Sequence, residues 1–288
     1  MNLAQFNLEI AEVRNDRQHG ASELARRCLA VLAGASRTLP AESTVELREW
    51  LLTLALTLAR TRPSMTPIEN LLHHWWETSA LDADLELATA REVAAKQAEA
   101  LIAISQRAVT ECAAHAARCL DPGQTIMTHS FSSTVLEVCR LLQGQGSQVI
   151  VTESRPLAEG RALAKKLSDW HVPTIYITDA QIGLFVTQAD AVLVGADSVL
   201  ADGAVVNKAG TYLLALAARD QGVPFYVCCE SFKWRRTEEL PPELEEMAPA
   251  ELSVPEWPGV TVRNLYFDIT PARLVSAWIS ETGVQAAP

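Results

Sequence analysis

VLVGADSVLADGAVVNKAGTYLLALAARDQGVPFYVCCE, residues 192–230, carries the clearest mark of the fold. It joins an apolar run, a Gly/Asp loop, a helical pattern and a second apolar run in that order. Ala191 to Val194 is apolar without alternation, as a strand covered on both faces requires. Gly195, Ala196 and Asp197 leave its carboxyl end, where open α/β sheets place their ligands. Asn207 and Lys208 then precede Tyr212, Leu213, Leu216 and Ala217, a spacing that predicts a helix beginning near Asn207. Its first amides, with Lys208 beside them, form an expected anion site on the same crevice.

Outward from this stretch the pattern repeats. Short apolar segments at 124–129, 147–152, 173–178, 190–195 and 224–229 alternate with helical patterns near 135–142, 159–169, 181–186 and 208–220. Such alternation implies a parallel sheet with right-handed crossovers. The layout is Rossmann-like, but GxGxxG is missing after the first strand, so no dinucleotide is indicated. Residues 241–258 are rich in Pro and Glu and read as a surface loop. Upstream, from 8 to about 120, apolar residues recur at three and four, giving an all-helical unit with breaks near 34–40, 61–67 and 78–84 and one long final helix over 84–119. The expected class is therefore α/β: an N-terminal all-helical domain, 1–120, followed by a Rossmann-like ligand-binding domain, 121–288. His73, His74, Trp75 and Trp76 are adjacent on a helix and point in different directions, which favours packing over a metal site.

Composition narrows the partners. With 35 acidic against 24 basic residues the net charge is −11, which argues against direct nucleic-acid binding, since phosphate contacts need clustered Lys and Arg. The six cysteines, at 28, 112, 119, 139, 228 and 229, show no metal-ligand spacing. They read as reduced apolar side chains, and neither a metal nor a cofactor is expected. The sequence has no secretory leader pattern and no bilayer-length apolar run, so a cytoplasmic protein with no membrane partner is expected.

GADSVLADGAVVNKAGTYLLALAA, together with HGAS (19–22), THSFSST (128–134), TESRPLAEGRALA (152–164) and FDITP (267–271) in the same order, resembles one family. It comprises the regulatory alpha, beta and delta subunits of eukaryotic initiation factor two-B, their archaeal relatives, and the 5-methylthioribose-1-phosphate and ribose-1,5-bisphosphate isomerases. The resemblance implies a pocket for a phosphorylated sugar or nucleoside monophosphate. In the isomerases a cysteine matches Ser130, and with the aspartate matching Asp197 it is thought to form the acid/base pair that moves hydrogen between C1 and C2. A serine hydroxyl is far less acidic than a thiol and needs an adjacent base. His19 stands where those proteins carry an arginine, and imidazole offers fewer donors and only partial charge.

The candidate catalytic residues are thus Asp197 and Ser130. Candidate ligand-binding residues are His19, Gly20, Ala21, Thr128, His129, Ser132, Arg155, Asn207, Lys208 and Lys233. Thr128, His129, Ser130 and Ser132 lie between a strand and a helix, where hydroxyls and free amides collect around phosphate. Arg155 follows the second strand with Pro156 stiffening its loop. For Arg161 a phosphate contact and a helix-surface position are equally open. Glu153 and Asp179 bind hydroxyls or cap helices, with capping the better role for Asp179. Asp202 belongs to a turn. Lys233 either closes over a ligand or is surface charge. THSFSSTVLE, TDAQIGLF and CCESFKW resemble the initiation-factor branch, which implies a regulatory binding module, a homodimer and a translation-factor partner. The alternative is an aldose-ketose isomerase acting on a ribose 1-phosphate compound, with Ser130 in place of the cysteine.

Overall fold

Apolar residues at three- and four-residue spacing build the first half. The computed structural model describes residues 6–236 and 244–286. Its helices there are α1 (Asn7–Asn15), α2 (Ala21–Thr38), α3 (Thr44–Ala59), α4 (Thr66–Thr78) and the 32-residue α5 (Leu87–Arg118). Gly34, expected within a break, lies inside α2 instead. A glycine costs an exposed helix only about 1 kcal/mol, which the buried Leu29, Leu32 and Ala33 around it outweigh; the helix stops before Pro40. Trp75 is fully buried, and its indole N–H donates to the Ala94 carbonyl at 3.0 Å, so the aromatic pair is packing. The chain divides into two compact units, Met1–Arg107 and Ala108–Pro288, with the division inside α5.

In the second unit the elements run β1 (Thr125–Thr128), α6 (Ser133–Leu141), β2 (Gln148–Thr152), α7 (Gly160–Asp169), β3 (Thr174–Ile177), α8 (Ile182–Phe185) and β4 (Ala191–Val194). They continue with β5 (Ser198–Val199), β6 (Val205–Lys208), α9 (Thr211–Asp220), β7 (Phe225–Cys228), β8 (Phe267–Thr270), β9 (Ala277–Ser280) and β10 (Gly283–Ala286). The main sheet has the order β10-β9-β7-β4-β1-β2-β3, parallel except for the antiparallel edge strand β10. Strands alternate their side chains between faces. Met127, Ile150 and Val192 therefore enter one core with Leu214 of α9, whereas Ile126, Val149 and Leu193 enter the other with Val138 of α6 and Cys112 of α5. Because both faces of β1, β2, β4 and β7 are covered, these strands carry no polar alternation, which is why the sequence shows them as solid apolar runs.

The chain advances from β1 to β2 to β3 in one direction, then returns to place β4 on the other side of β1. The crevice between the carboxyl ends of β1 and β4 is thus the topological switch point, where such sheets bind ligands. A second, three-stranded sheet, β5-β6-β8, stands beside it. Its β6 overturns the expected helix start near Asn207. Asn207 and Lys208 lie on β6, paired antiparallel with Asp268 and Phe267 of β8, and α9 begins only at Thr211 after Gly210 at φ +112°. The partner strand lies some sixty positions downstream, and local spacing does not reveal it. Of the Pro/Glu-rich stretch, 241–243 lie outside the described residues; in the rest, Glu246 bridges to Leu265 and Glu251 accepts from Tyr266 at 2.5 Å, with most side chains exposed.

Candidate functional site

After β1 the chain needs a sharp turn into α6, and Ser130 makes it at φ +68°, a conformation costly for a residue with a Cβ. The Ser130 amide donates to Ser154 Oγ at 2.7 Å, and Ser154, itself at φ +61°, follows β2. Asp179 stabilises this second loop by accepting the amides of Ser154 at 2.7 Å and Arg155 at 2.8 Å. Its expected role as a helix cap is therefore replaced by a loop-to-loop one, because two amides beyond β2, one of them that of the strained Ser154, need an acceptor. Ser132 caps α6, accepting from Val135 at 3.3 Å. Gly195 packs against it so closely that a Cβ would lie 2.6 Å from its hydroxyl oxygen, which explains the glycine at the end of β4.

His129 is buried and locked in place. Its Nε2 faces the Ala209 carbonyl at 3.0 Å and its Nδ1 faces Thr152 Oγ1 at 2.6 Å. A carbonyl only accepts, so Nε2 carries the proton and Nδ1 accepts from threonine. Burial holds the imidazole pKa below its ordinary value, so the ring is neutral near pH 7. Both nitrogens are committed to the protein, and His129 braces the strand ends around the crevice instead of offering a donor. Gly210 matches this ring, because a Cβ there would approach it to 2.8 Å.

Glu159 connects the crevice. Its carboxylate accepts from the Ser130 hydroxyl through one oxygen and pairs with the Lys208 ammonium at 3.0 Å through the other. Lys208 also lies 4.3 Å from the Tyr266 ring centroid, in cation–π contact. A second pair follows β7, where Lys233 Nζ meets Glu230 at 2.9 Å and Thr134 donates to the other Glu230 oxygen. Burial alone raises the Glu230 pKa and lowers that of Lys233. Their mutual attraction wins, so the carboxyl is held below its ordinary range and the ammonium above it. Asp197, partly exposed after β4, adds to the field that keeps Lys233 charged, and its amide donates to Val206 at 2.9 Å.

Of the predicted residues, Ser130 and Lys208 are thus joined through Glu159, and Lys233 and Asp197 share an electrostatic neighbourhood. Lys233 is buried, which removes the surface-charge reading. Thr128 is buried at the end of β1, Asn207 donates to Thr211 at 3.0 Å, and Arg155 has an exposed side chain. Arg161 is exposed and pairs with Glu153 at 3.1 Å, a helix-surface position. Asp202 accepts from Ala204 at 2.9 Å within its turn. The expected anion site at the start of α9 is filled by the protein itself: Asp268 accepts from Gly210 at 2.7 Å and from Tyr212 at 3.1 Å.

His19, Gly20 and Ala21 lie in the helical unit, where the His19 ring and amide both engage Asp16 at 2.8 Å and Gly20 precedes α2. Sequence reasoning missed Glu159, Glu230 and Ser154. Glu230 lies three residues before Lys233, a visible pairing signal, whereas Glu159 carries no local one.

The chain matches the Initiation factor 2 subunit family over residues 17–287. It belongs to that family. It is 36% identical over 285 residues to an eIF-2B subunit 2-like protein of Pyrococcus furiosus, covering 97% of this chain and 95% of that one. It is 32% identical to the ribose 1,5-bisphosphate isomerase of the same organism, covering 96% and 89%. The solved translation initiation factor eIF-2B of Pyrococcus horikoshii superposes with a TM-score of 0.86 at 33% identity, covering 99% of this chain and 98% of that one. The family thus includes both factor-like and isomerase relatives on this fold. Among the described residues no helix is long and apolar enough to cross a membrane.

Proposed function

We propose that this member of the family binds a phosphorylated sugar or a nucleoside monophosphate at the β1/β4 switch point and acts as a regulatory, cytoplasmic module. One observation carries the reading: Ser130, Glu159 and Lys208 form a connected polar network at the mouth of that crevice. A buried, charged network at a switch point is where ligand recognition is expected. Glu159 marks the place of an anion. Its two oxygens take a hydroxyl and an ammonium, the groups a phosphate takes. Ser132 and the first amides of α6 line the same turn and offer donors that a helix cannot satisfy internally. The factor-like names of the relatives support a translation-factor partner, and a homodimer is part of the same proposal.

A second reading, an aldose-ketose isomerase on a ribose 1-phosphate compound, is favoured by the hydrogen bond from Ser130 to Glu159. A serine needs an adjacent base to exchange protons, and Glu159 is one. Asp197 would then be its acid/base counterpart.

Phosphorus NMR of ribose 1,5-bisphosphate and of AMP with the purified protein separates these readings. Broadening without product is expected. Formation of the ketose bisphosphate establishes the isomerase, and sharp, unshifted resonances for both compounds overturn the binding site. Asp197→Asn is expected to change the affinity by no more than about threefold, since neutralising one carboxylate at the rim costs no phosphate donor. Any turnover is expected to vanish in that variant.

A further inference from the structure

At the opposite, amino end of the main sheet, the loops preceding β7 and β9 enclose a cleft of about 830 Å³. Small-molecule sites occupy roughly 300–1,000 Å³. Arg219, in the last turn of α9, and Arg273, in the helical turn after β8, both line it. Among the described residues neither guanidinium has a carboxylate partner, whereas Arg37, Arg140, Arg161 and Arg263 each do. In a chain of net charge −11, two arginines without an ion-pair partner against the single carboxylate of Asp202 leave this cleft net positive. One arginine at the end of α9 is accounted for by the helix dipole. The second, on a separate loop facing the same cavity, is not.

The remaining lining completes a recognition set. Ser276 Oγ accepts the Phe225 amide at 3.0 Å, which leaves its hydroxyl proton for a partner in the cleft. Asp202 uses one carboxylate oxygen on Ala204 and keeps the other as an acceptor. Trp278 forms a fixed apolar wall: its indole N–H donates to the Gly203 carbonyl at 3.1 Å, and a Cβ on Gly203 would lie 2.9 Å from the ring. Two forked cationic donors, a hydroxyl donor and an acceptor thus line one cleft beside a rigid wall. Guanidinium forks fit phosphate oxygens bidentately, and a carboxylate oxygen fits a sugar-type hydroxyl.

We propose that this cleft is a second ligand site, for a small phosphorylated compound bearing hydroxyl groups. Arg219 and Arg273 hold the phosphate, and Asp202 accepts a hydroxyl. The site is separate from the switch-point crevice and does not depend on what that crevice binds.

Ribose 5-phosphate is the probe, and the Trp278 indole N–H resonance in a nitrogen-15 correlation spectrum is the readout. A saturable shift is expected in the wild-type protein. The double variant Arg219→Gln/Arg273→Gln is expected to weaken binding about tenfold or more, the worth of a charge-assisted bidentate contact. Both positions are exposed, so its ligand-free spectrum should match the wild type. Arg273→Gln alone should give a partial loss. Ser130→Ala, which alters only the other site, should leave the Trp278 titration unchanged. Absence of a Trp278 shift in the wild type, an undiminished titration in the double variant, or loss of the shift in Ser130→Ala would each overturn the proposal.

Discussion

Lys208–Glu159 and Lys233–Glu230 are two buried lysine–glutamate pairs at the carboxyl end of the same sheet, with nearly equal separations of 3.0 and 2.9 Å. Their enclosure differs. Both lysine side chains are about equally covered, at 6% and 5% exposed, but Glu159 is 20% exposed and Glu230 only 3%. The partners of the carboxylates differ as well: Glu230 takes the hydroxyl of Thr134 in the first turn of α6, and Glu159 takes that of Ser130 in a strained turn at the crevice. The pair closed on both sides fixes the β7 end to α6. The pair open on one side can exchange its carboxylate for another anion without stranding a charge. Access of the counter-ion, more than the chemistry of the pair, is what distinguishes the two, and the proposed binding function rests on the open one.

The comparison is tested most severely at Glu230. Glu230→Ala leaves the Lys233 ammonium buried beside no carboxylate of its own pair, and breaking such a pair costs about 3–5 kcal/mol. Urea unfolding should show a loss of that size; a loss below about 1 kcal/mol, the worth of an exposed pair, would erase the distinction. Glu159→Gln is the complementary change. It removes the resident negative charge while keeping the shape, so ribose 1,5-bisphosphate should bind about tenfold more tightly, the scale of one charge-assisted contact. Weaker binding would show that Glu159 recognises the ligand directly.

A further test concerns pH and a third carboxylate. Asp268 is paired with helix amides instead of a lysine, and burial pushes its pKa up to about 6 despite the hydrogen bonds from Gly210 and Tyr212. Its folded form holds the proton more tightly than the unfolded form, so its contribution to stability is complete below about pH 4 and drains away as pH rises through 6. Glu230, with its pKa lowered, contributes in the opposite sense: its stabilisation is present at neutral pH and lost as pH falls. Thermal unfolding between pH 4 and 7 should therefore show Asp268→Asn gaining on the wild type as pH rises. Parallel curves would mean that the helix amides keep Asp268 ionised throughout.

Much of this arrangement was legible in the residues. The five apolar runs fall on β1, β2, β3, β4 and β7; in all but the edge strand β3, coverage on both faces leaves no polar alternation to blur them. Ser130 and Asp197 were readable as strand-end residues for the same reason. Glu159 was not. It follows Pro156 and a turn in which Ala158 stands at φ +55°, and Gly160, whose Cβ would lie 1.8 Å from the Thr152 carbonyl, lets the chain pass. Only that close approach aims the carboxylate back at Ser130 in the turn after β1. His129 was legible in position but not in role, since its two acceptor and donor partners come from Thr152 and from Ala209, eighty residues away.

From the residues alone came the family, the alternation of the five apolar strands with helical segments, and the loops at those strand ends, because hydrophobic period and motif order are local properties of the chain. Tertiary structure alone decided that Asn207 and Lys208 sit on a strand, that Asp268 occupies the start of α9, and that Glu159 links Ser130 to Lys208. Those outcomes depend on pairings between residues tens of positions apart. Their energies arise only when water is excluded and each buried charge must find its partner.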